Sequence, residues 1–148
     1  MLIRVSTVIA SLVLALTSTT LFAENSTKVG GYTIHHNAIT TDMLTPEVAN
    51  TYHIRRSSNR GMLNVSIVRD IPDTTGQPVR AWVSVKAQNL RGQIRYIPMR
   101  EIREENAIYY IGHFLVEHKE NINFEIKVTP DGQRSPYVVR MDHQFFTK

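Results

Sequence analysis

Histidine offers the widest choice of chemistry in this sequence, because imidazole binds metals and transfers protons near neutral pH. Six histidines are present, and two of them, His35 and His36, are adjacent. Adjacent residues of a strand point to opposite faces, so this pair cannot chelate one ion. His113, Glu117 and His118 resemble the H-x-x-E-H zinc motif, but with one residue too many and without the helix that the motif needs. We therefore expect no metal and no other cofactor.

Nucleophilic catalysis finds equally little support in the sequence. The chain contains no cysteine, which excludes thiol catalysis, and no G-x-S-x-G element. Most carboxylates stand beside arginine or lysine, as in Arg103-Glu104-Glu105. We assign no catalytic residue and expect a non-enzymatic protein. The alternative is a hydrolase or metal-dependent enzyme whose site is assembled across strands, since a triad formed only in space leaves no local signature.

Three arginines, Arg55, Arg56 and Arg60, lie close together in a polar stretch. Such a cluster can clamp a phosphate, a carboxylate or an anionic sugar, because the guanidinium group binds anions in a bidentate manner. The alternative is ordinary loop charge in contact with solvent. These arginines are candidates for an interaction surface.

Two aromatic residues, Trp82 and Tyr109, are further candidates for that surface. The alternation around Trp82 places its ring on the outer face of a strand, away from Val83 and Val85. We expect a short helix and the loop over residues 55–61 to cover both rings, because large apolar patches are uncommon on monomers. The alternative is an exposed aromatic patch that binds a partner.

Residues 1–23 have the organisation of a secretory signal peptide. Arg4 is followed by an apolar run over residues 5–16, and Ala23 is the small residue expected before the cleavage site. This run is much shorter than the roughly 20 residues that a membrane-spanning helix needs. We expect a flexible tether over residues 24–31, a single domain over residues 32–148 and no transmembrane segment after cleavage.

Charge gives only weak information about partners. The chain has 17 basic and 13 acidic residues, and loss of Arg4 with the signal peptide lowers the net charge from +4 to +3. This small excess is weak evidence for an anionic partner, and it lacks the concentrated basic surface of nucleic-acid-binding proteins. We expect no nucleic-acid partner, and the oligomeric state is left open.

Alternation of apolar and polar residues predicts about seven strands. They cover residues 32–38, 63–71, 79–88, 94–99, 107–116, 122–129 and 137–145. One short helix is predicted from Pro46 to Tyr52, with Thr45 as its N-cap and proline at its first position. Short strands separated by turns favour an immunoglobulin-like antiparallel β-sandwich, with a small β-barrel as the alternative.

Several stretches resemble a family of short exported proteins of gammaproteobacteria, catalogued as a domain of unknown function. The similar stretches are Gly31–Ala38, Leu44–Ala49, Asn64–Ser66 with Gln77–Val79, Ala107–Ile111 and Gln144–Thr147. The resemblance implies a location in the periplasm of Gram-negative bacteria. Genes of this family often lie near methionine-biosynthesis genes. The resemblance implies no activity and no functional residues.

These observations predict a non-enzymatic periplasmic binding or interaction module. Its loops or a sheet edge would contact a periplasmic protein or an anionic component of the cell envelope. A structural accessory subunit is a further alternative.

Overall fold

A computed structural model describes residues 25–148 of the chain. These residues form ten strands, one α-helix and one 3-10 turn, Thr41–Met43. The strands are β1 (Ser26–Val29), β2 (Tyr32–Thr40), β3 (Arg60–Arg69), β4 (Gln77–Pro78), β5 (Ala81–Asn89), β6 (Ile94–Ile97), β7 (Arg100–Arg103), β8 (Ile108–Leu115), β9 (Glu120–Pro130) and β10 (Tyr137–Phe145), and the helix is α1 (Pro46–Thr51). The expected signal peptide, residues 1–23, lies outside the described residues.

The strands form two antiparallel sheets. The six-stranded sheet has the order β1-β2-β3-β8-β7, with β4 paired to the end of β3, and the four-stranded sheet has the order β10-β9-β5-β6. The chain passes between the sheets three times, from β4 to β5, from β6 to β7 and from β8 to β9. The sheets remain separate, which confirms the β-sandwich over the barrel.

The main core lies between the two sheets and follows the predicted alternation. Ile34, Leu63, Val85, Phe124 and Val139 are buried there. Burial of apolar side chains is the main stabilising contribution in a domain without disulfides. Every predicted strand contributes inward-facing residues to this core.

A polar contact also joins the two sheets. The phenolic oxygen of Tyr110 on β8 accepts a hydrogen bond from the backbone nitrogen of Ala81 on β5 at 2.8 Å. The same hydroxyl donates to the carboxylate of Glu101 on β7 at 3.1 Å. Burial of the ring and the neighbouring carboxylate raise the pKa of Tyr110, so the phenol stays protonated and keeps both bonds.

The predicted helix is confirmed, one residue shorter than expected. The hydroxyl of Thr45 accepts a hydrogen bond from the backbone nitrogen of Val48 at 3.3 Å, as an N-cap does. Ala49 packs with Ile54, Met62 and Ile111 in a second buried cluster. The helix therefore covers part of the outer face of the six-stranded sheet, meaning the face turned away from the other sheet.

The expectation of a flexible tether over residues 24–31 is wrong for Ser26–Val29, which form β1. This strand pairs with β2, with Ser26 opposite His35 and Val29 opposite Tyr32. Gly30 and Gly31 both have positive φ angles, 58° and 81°, as a two-residue hairpin turn requires. The polar sequence of β1 suits an edge strand, of which one face contacts solvent.

Neither helical segment among residues 25–148 has the length and apolar character of a membrane span.

Candidate functional site

The aromatic candidates Trp82 and Tyr109 lie on opposite sides of the sandwich. Trp82 is opposite Thr129 on the outer face of the four-stranded sheet. Tyr109 is opposite Ile102 on the six-stranded sheet and packs against the cluster beneath α1. The two residues therefore cannot form one surface.

The expectation that both rings are covered is correct for Tyr109 and wrong for Trp82. Tyr109 is partly buried, whereas 76% of Trp82 is exposed to solvent. The helix and the loop over residues 55–61 follow β2 and precede β3, so they pack on the sheet that contains those strands. No element among residues 25–148 is placed to cover the other sheet on its outer side.

Further apolar side chains accompany Trp82 on that uncovered side. Tyr96 and Ile94 on β6 lie opposite Lys86 and Gln88 of β5, in the positions that face away from the core. Tyr96 is 77% exposed and Ile94 is 54% exposed. We call this side the aromatic face, defined by Trp82, Ile94, Tyr96 and Val138. Tyr96 was not among the residues predicted from the sequence, although the apolar Ile97 indicates that its neighbour points outward.

The centre of the aromatic face carries an ion-pair cluster. The Glu125 carboxylate lies 3.1 Å from the Arg140 guanidinium, 3.7 Å from the Lys86 ammonium and 4.0 Å from the Lys127 ammonium. Partial burial raises the pKa of Glu125, but the three cations outweigh it and hold the pKa below its ordinary value. One carboxylate is shared by three cations, so the cluster is positively charged.

The arginine candidates lie in the six-stranded sheet and the loop next to it, away from the aromatic face. Arg55 and Arg56 are exposed in the loop after α1, and Arg56 donates a hydrogen bond to the backbone oxygen of Asp42 at 2.9 Å. Arg60 begins β3 opposite Leu115, and its positive charge lowers the pKa of His113. The three arginines are therefore not neighbours of Trp82.

Three histidines, His35, His36 and His143, line one groove. This groove has a volume of about 790 Å³ and is also lined by Met43, Phe145 and Phe146. A neighbouring cavity of about 730 Å³ contains Tyr109 and Glu104, and two smaller ones lie elsewhere. Among residues 25–148, no three histidine or acidic side chains come together in a way that could hold a metal ion.

Burial lowers the pKa of three histidines, and this predicts a pH-dependent stability. Burial is the main cause for His36, His113 and His143, with the charges of His35 and of Arg100 and Arg60 adding to it for the first two. Below pH 6.5 the unfolded chain binds protons that the folded chain excludes. The free energy of unfolding should therefore fall between about pH 6.5 and pH 5.

Urea unfolding at several pH values between 7.5 and 5 measures this effect. The substitution His143→Phe keeps a ring against Phe145, whose centroid lies 4.6 Å away, and removes one titrating group. It should reduce the pH slope by up to about 1.4 kcal/mol per pH unit. A free energy of unfolding that is constant from pH 7.5 to pH 5 would contradict the prediction.

A family comparison covers nearly the whole described domain. The model of a family described as "Domain of unknown function (DUF4426)" matches residues 26–148. The chain belongs to the DUF4426 family. No curated protein sequence matches this DUF4426 chain.

Solved structures have the same fold, and one of them is described as a DUF4426 family protein. A DUF4426 protein of Pseudomonas aeruginosa PAO1, PA0388, is 28% identical, and the match covers 84% of this chain and 96% of that chain with a TM-score of 0.72. FetP of uropathogenic Escherichia coli strain F11, produced in the periplasm, is 8% identical over 84% of this chain and 94% of that chain, with a TM-score of 0.58. A copper-bound variant of FetP gives the same identity and TM-score over 85% of this chain and 97% of that chain. At this low identity, FetP shares the fold alone.

Proposed function

We propose that this DUF4426 protein is a non-enzymatic binding module of the periplasm that holds a component of the cell envelope against its aromatic face. The observation that carries the proposal is the exposure of Trp82, Tyr96 and Ile94 on the same uncovered face of one sheet, with Tyr96 opposite Lys86, four residues along β5 from Trp82. Single apolar residues are normal on a surface, whereas several large aromatic and aliphatic side chains on one uncovered sheet face favour an interaction site. Tryptophan, tyrosine and arginine are also the residues that contribute most binding energy in interfaces.

The geometry of the sheet supports the same proposal. Strand β5, which carries Trp82, is paired with β9 along its whole length, from Ala81 to Asn89, and with β6 from Val85 to Gln88. The aromatic side chains therefore stand on a rigid, hydrogen-bonded support. A preorganised surface loses little conformational entropy on binding, which suits a binding role.

The proposed location rests on two supports. Residues 1–23 have the composition of a signal peptide. FetP, which has the same fold, was produced in the periplasm. A cysteine-free domain is stable in such an oxidising compartment without risk of incorrect disulfides.

Retention of envelope material by variants of the aromatic face tests the proposed function. The immobilised protein is incubated with a Gram-negative envelope extract that contains periplasmic proteins and membrane fragments, and bound protein and phospholipid are quantified. The substitution Trp82→Asp removes the largest aromatic side chain of the binding surface, puts a negative charge in its place and should reduce retention at least tenfold, since aromatic hot-spot residues of an interface contribute about 2 kcal/mol or more. The thermal midpoint should stay almost unchanged, because the side chain is exposed.

Leu90→Asp is the matched control. Leu90 is also highly exposed but lies in the turn after β5, outside the aromatic face. This variant should retain envelope material like the unmodified protein. Equal retention by the unmodified protein, Trp82→Asp and Leu90→Asp would show that the aromatic face does not bind the envelope.

A further inference from the structure

The aromatic face combines apolar rings with cations on the outer side of one sheet. Trp82, Tyr96, Ile94 and Val138 project outward together with Lys86, Lys127 and Arg140. The four cavities described above in the domain over residues 25–148 are lined by neither Trp82 nor Tyr96. Aromatic residues that lie outside these four cavities, on an uncovered sheet face, suit a broad partner better than a small molecule.

The charge that this face presents to a partner is positive. Lys86, Lys127 and Arg140 stand against Glu125 and Asp142, and Asp142 accepts a hydrogen bond from Asn123 at 2.8 Å. The Glu125 side chain is only 18% exposed, while that of Arg140 is 66% exposed. A partner that approaches this face therefore meets the cations first, because the Glu125 carboxylate lies beneath them.

We infer that the component bound by the aromatic face is an anionic lipid bilayer. The inference rests on the proposed function and names the occupant of the same face. Tryptophan and tyrosine rings favour the boundary between lipid headgroups and acyl chains, because one end of each ring is apolar and the other can donate a hydrogen bond. Lys127, Arg140 and Lys86 lie on the same face, where phosphate groups of anionic lipids can contact them.

The two sets of side chains contribute different parts of the binding. Ile94 and Val138 add apolar area to the rings, which favours insertion at the bilayer surface. Each cation near an anionic surface increases partitioning about fivefold at moderate ionic strength. Neither contribution alone holds a protein firmly, and stable surface attachment requires both.

Trp82 is the only tryptophan of the chain and reports on its own environment. The protein, purified from the periplasm, is mixed with vesicles that contain phosphatidylglycerol as the minor lipid in phosphatidylcholine and, separately, with vesicles of pure phosphatidylcholine. We expect a blue shift of the tryptophan emission and co-sedimentation with the phosphatidylglycerol vesicles only. Raising the salt concentration should weaken both signals.

A pair of double variants tests the role of the cations while keeping Trp82 as the reporter. Lys127→Gln with Arg140→Gln should reduce partitioning about 25-fold, at about fivefold for each charge. Arg55→Gln with Arg56→Gln removes the same net charge from the loop after α1 and should leave partitioning within about twofold, because that loop lies on the opposite sheet. Thermal unfolding of both variants checks that they are folded.

The outcomes separate this inference from the proposed function. Absence of a blue shift and of co-sedimentation with phosphatidylglycerol vesicles would overturn the lipid inference, as would equal binding to both vesicle types or an equal loss in the two double variants. If envelope retention still depends on Trp82 in that case, the aromatic face binds a protein instead, and the proposed function stands. If that retention is independent of Trp82 as well, both fail.

Discussion

Replacement of Phe145 by alanine is expected to lower the free energy of unfolding by about 3–5 kcal/mol. Phe145 is only 1% exposed and its ring lies 5.5 Å from that of Phe114 and 6.4 Å from that of Phe124. Removal of the ring leaves a cavity among side chains that are fixed by both sheets. Since a domain of this size is stabilised by about 5–15 kcal/mol, the loss is a large part of the total.

The neighbouring residue supplies the matched control. Phe146 follows Phe145 directly but is 59% exposed, so Phe146→Ala should change stability by at most about 0.5 kcal/mol. Urea unfolding monitored by circular dichroism measures both variants. A loss for Phe146→Ala that equals the loss for Phe145→Ala would show that the last strand does not have the observed register.

Gly112→Ala should lower the free energy of unfolding by about 1–3 kcal/mol, because it overpacks the core. Gly112 lies in β8 opposite Leu63 and faces inward. A Cβ atom there would contact Ile97 Cγ2, and it would lie 2.6 Å from Met99 Sδ and 3.0 Å from the backbone oxygen of Pro98. Backbone cannot move aside as a flexible side chain can, so the strain is retained.

A double-mutant cycle tests whether this contact is the cause. Ile97→Ala removes the Cγ2 atom that the new methyl group would contact. The loss in stability for the double variant should be smaller than the sum of the two single losses by about 0.5 kcal/mol or more, the lower limit for residues in contact. If the two single losses in stability simply add in the double variant, Ile97 does not contact the new methyl group at position 112.

The alternation of apolar residues was sufficient to predict seven of the ten strands that residues 25–148 form, with their buried faces. In β9, Ile122, Phe124, Ile126 and Val128 are all buried between the sheets, as period-two burial requires. Capping chemistry was sufficient for α1, because Thr45 forms the expected bond to Val48. Both signals are local, and local signals can be read directly from a sequence.

The exposure of Trp82 could not be predicted in this way. Parity correctly places the ring on an outer face, but it does not tell which of the two outer faces α1 covers. That choice depends on long-range packing, in which Ala49 of the helix meets Met62 of β3 and Ile111 of β8. Tyr96 was overlooked for a similar reason, since β6 is only four residues long and gives a weak alternation signal.

Strand β1 was missed because its sequence is polar and short. Nothing in Ser26–Val29 resembles a buried strand, and its pairing with β2 depends on the turn at Gly30 and Gly31. Two consecutive glycines before an apolar strand are a hairpin signal. A tether was predicted because the polar composition of the segment was given more weight than the turn signal of the two glycines.

The chain crosses from one sheet to the other three times, and these crossings determine the order in which the two sheets can form. Strand β3 needs β8, and β5 needs β9, so a chain that emerges with its N-terminus first cannot close either sheet until its last third has arrived. Contacts between residues so distant in the sequence make folding slow, in the range of milliseconds to seconds for sandwiches. Slow completion leaves the unpaired strands of the newly made polypeptide open to aggregation during that time.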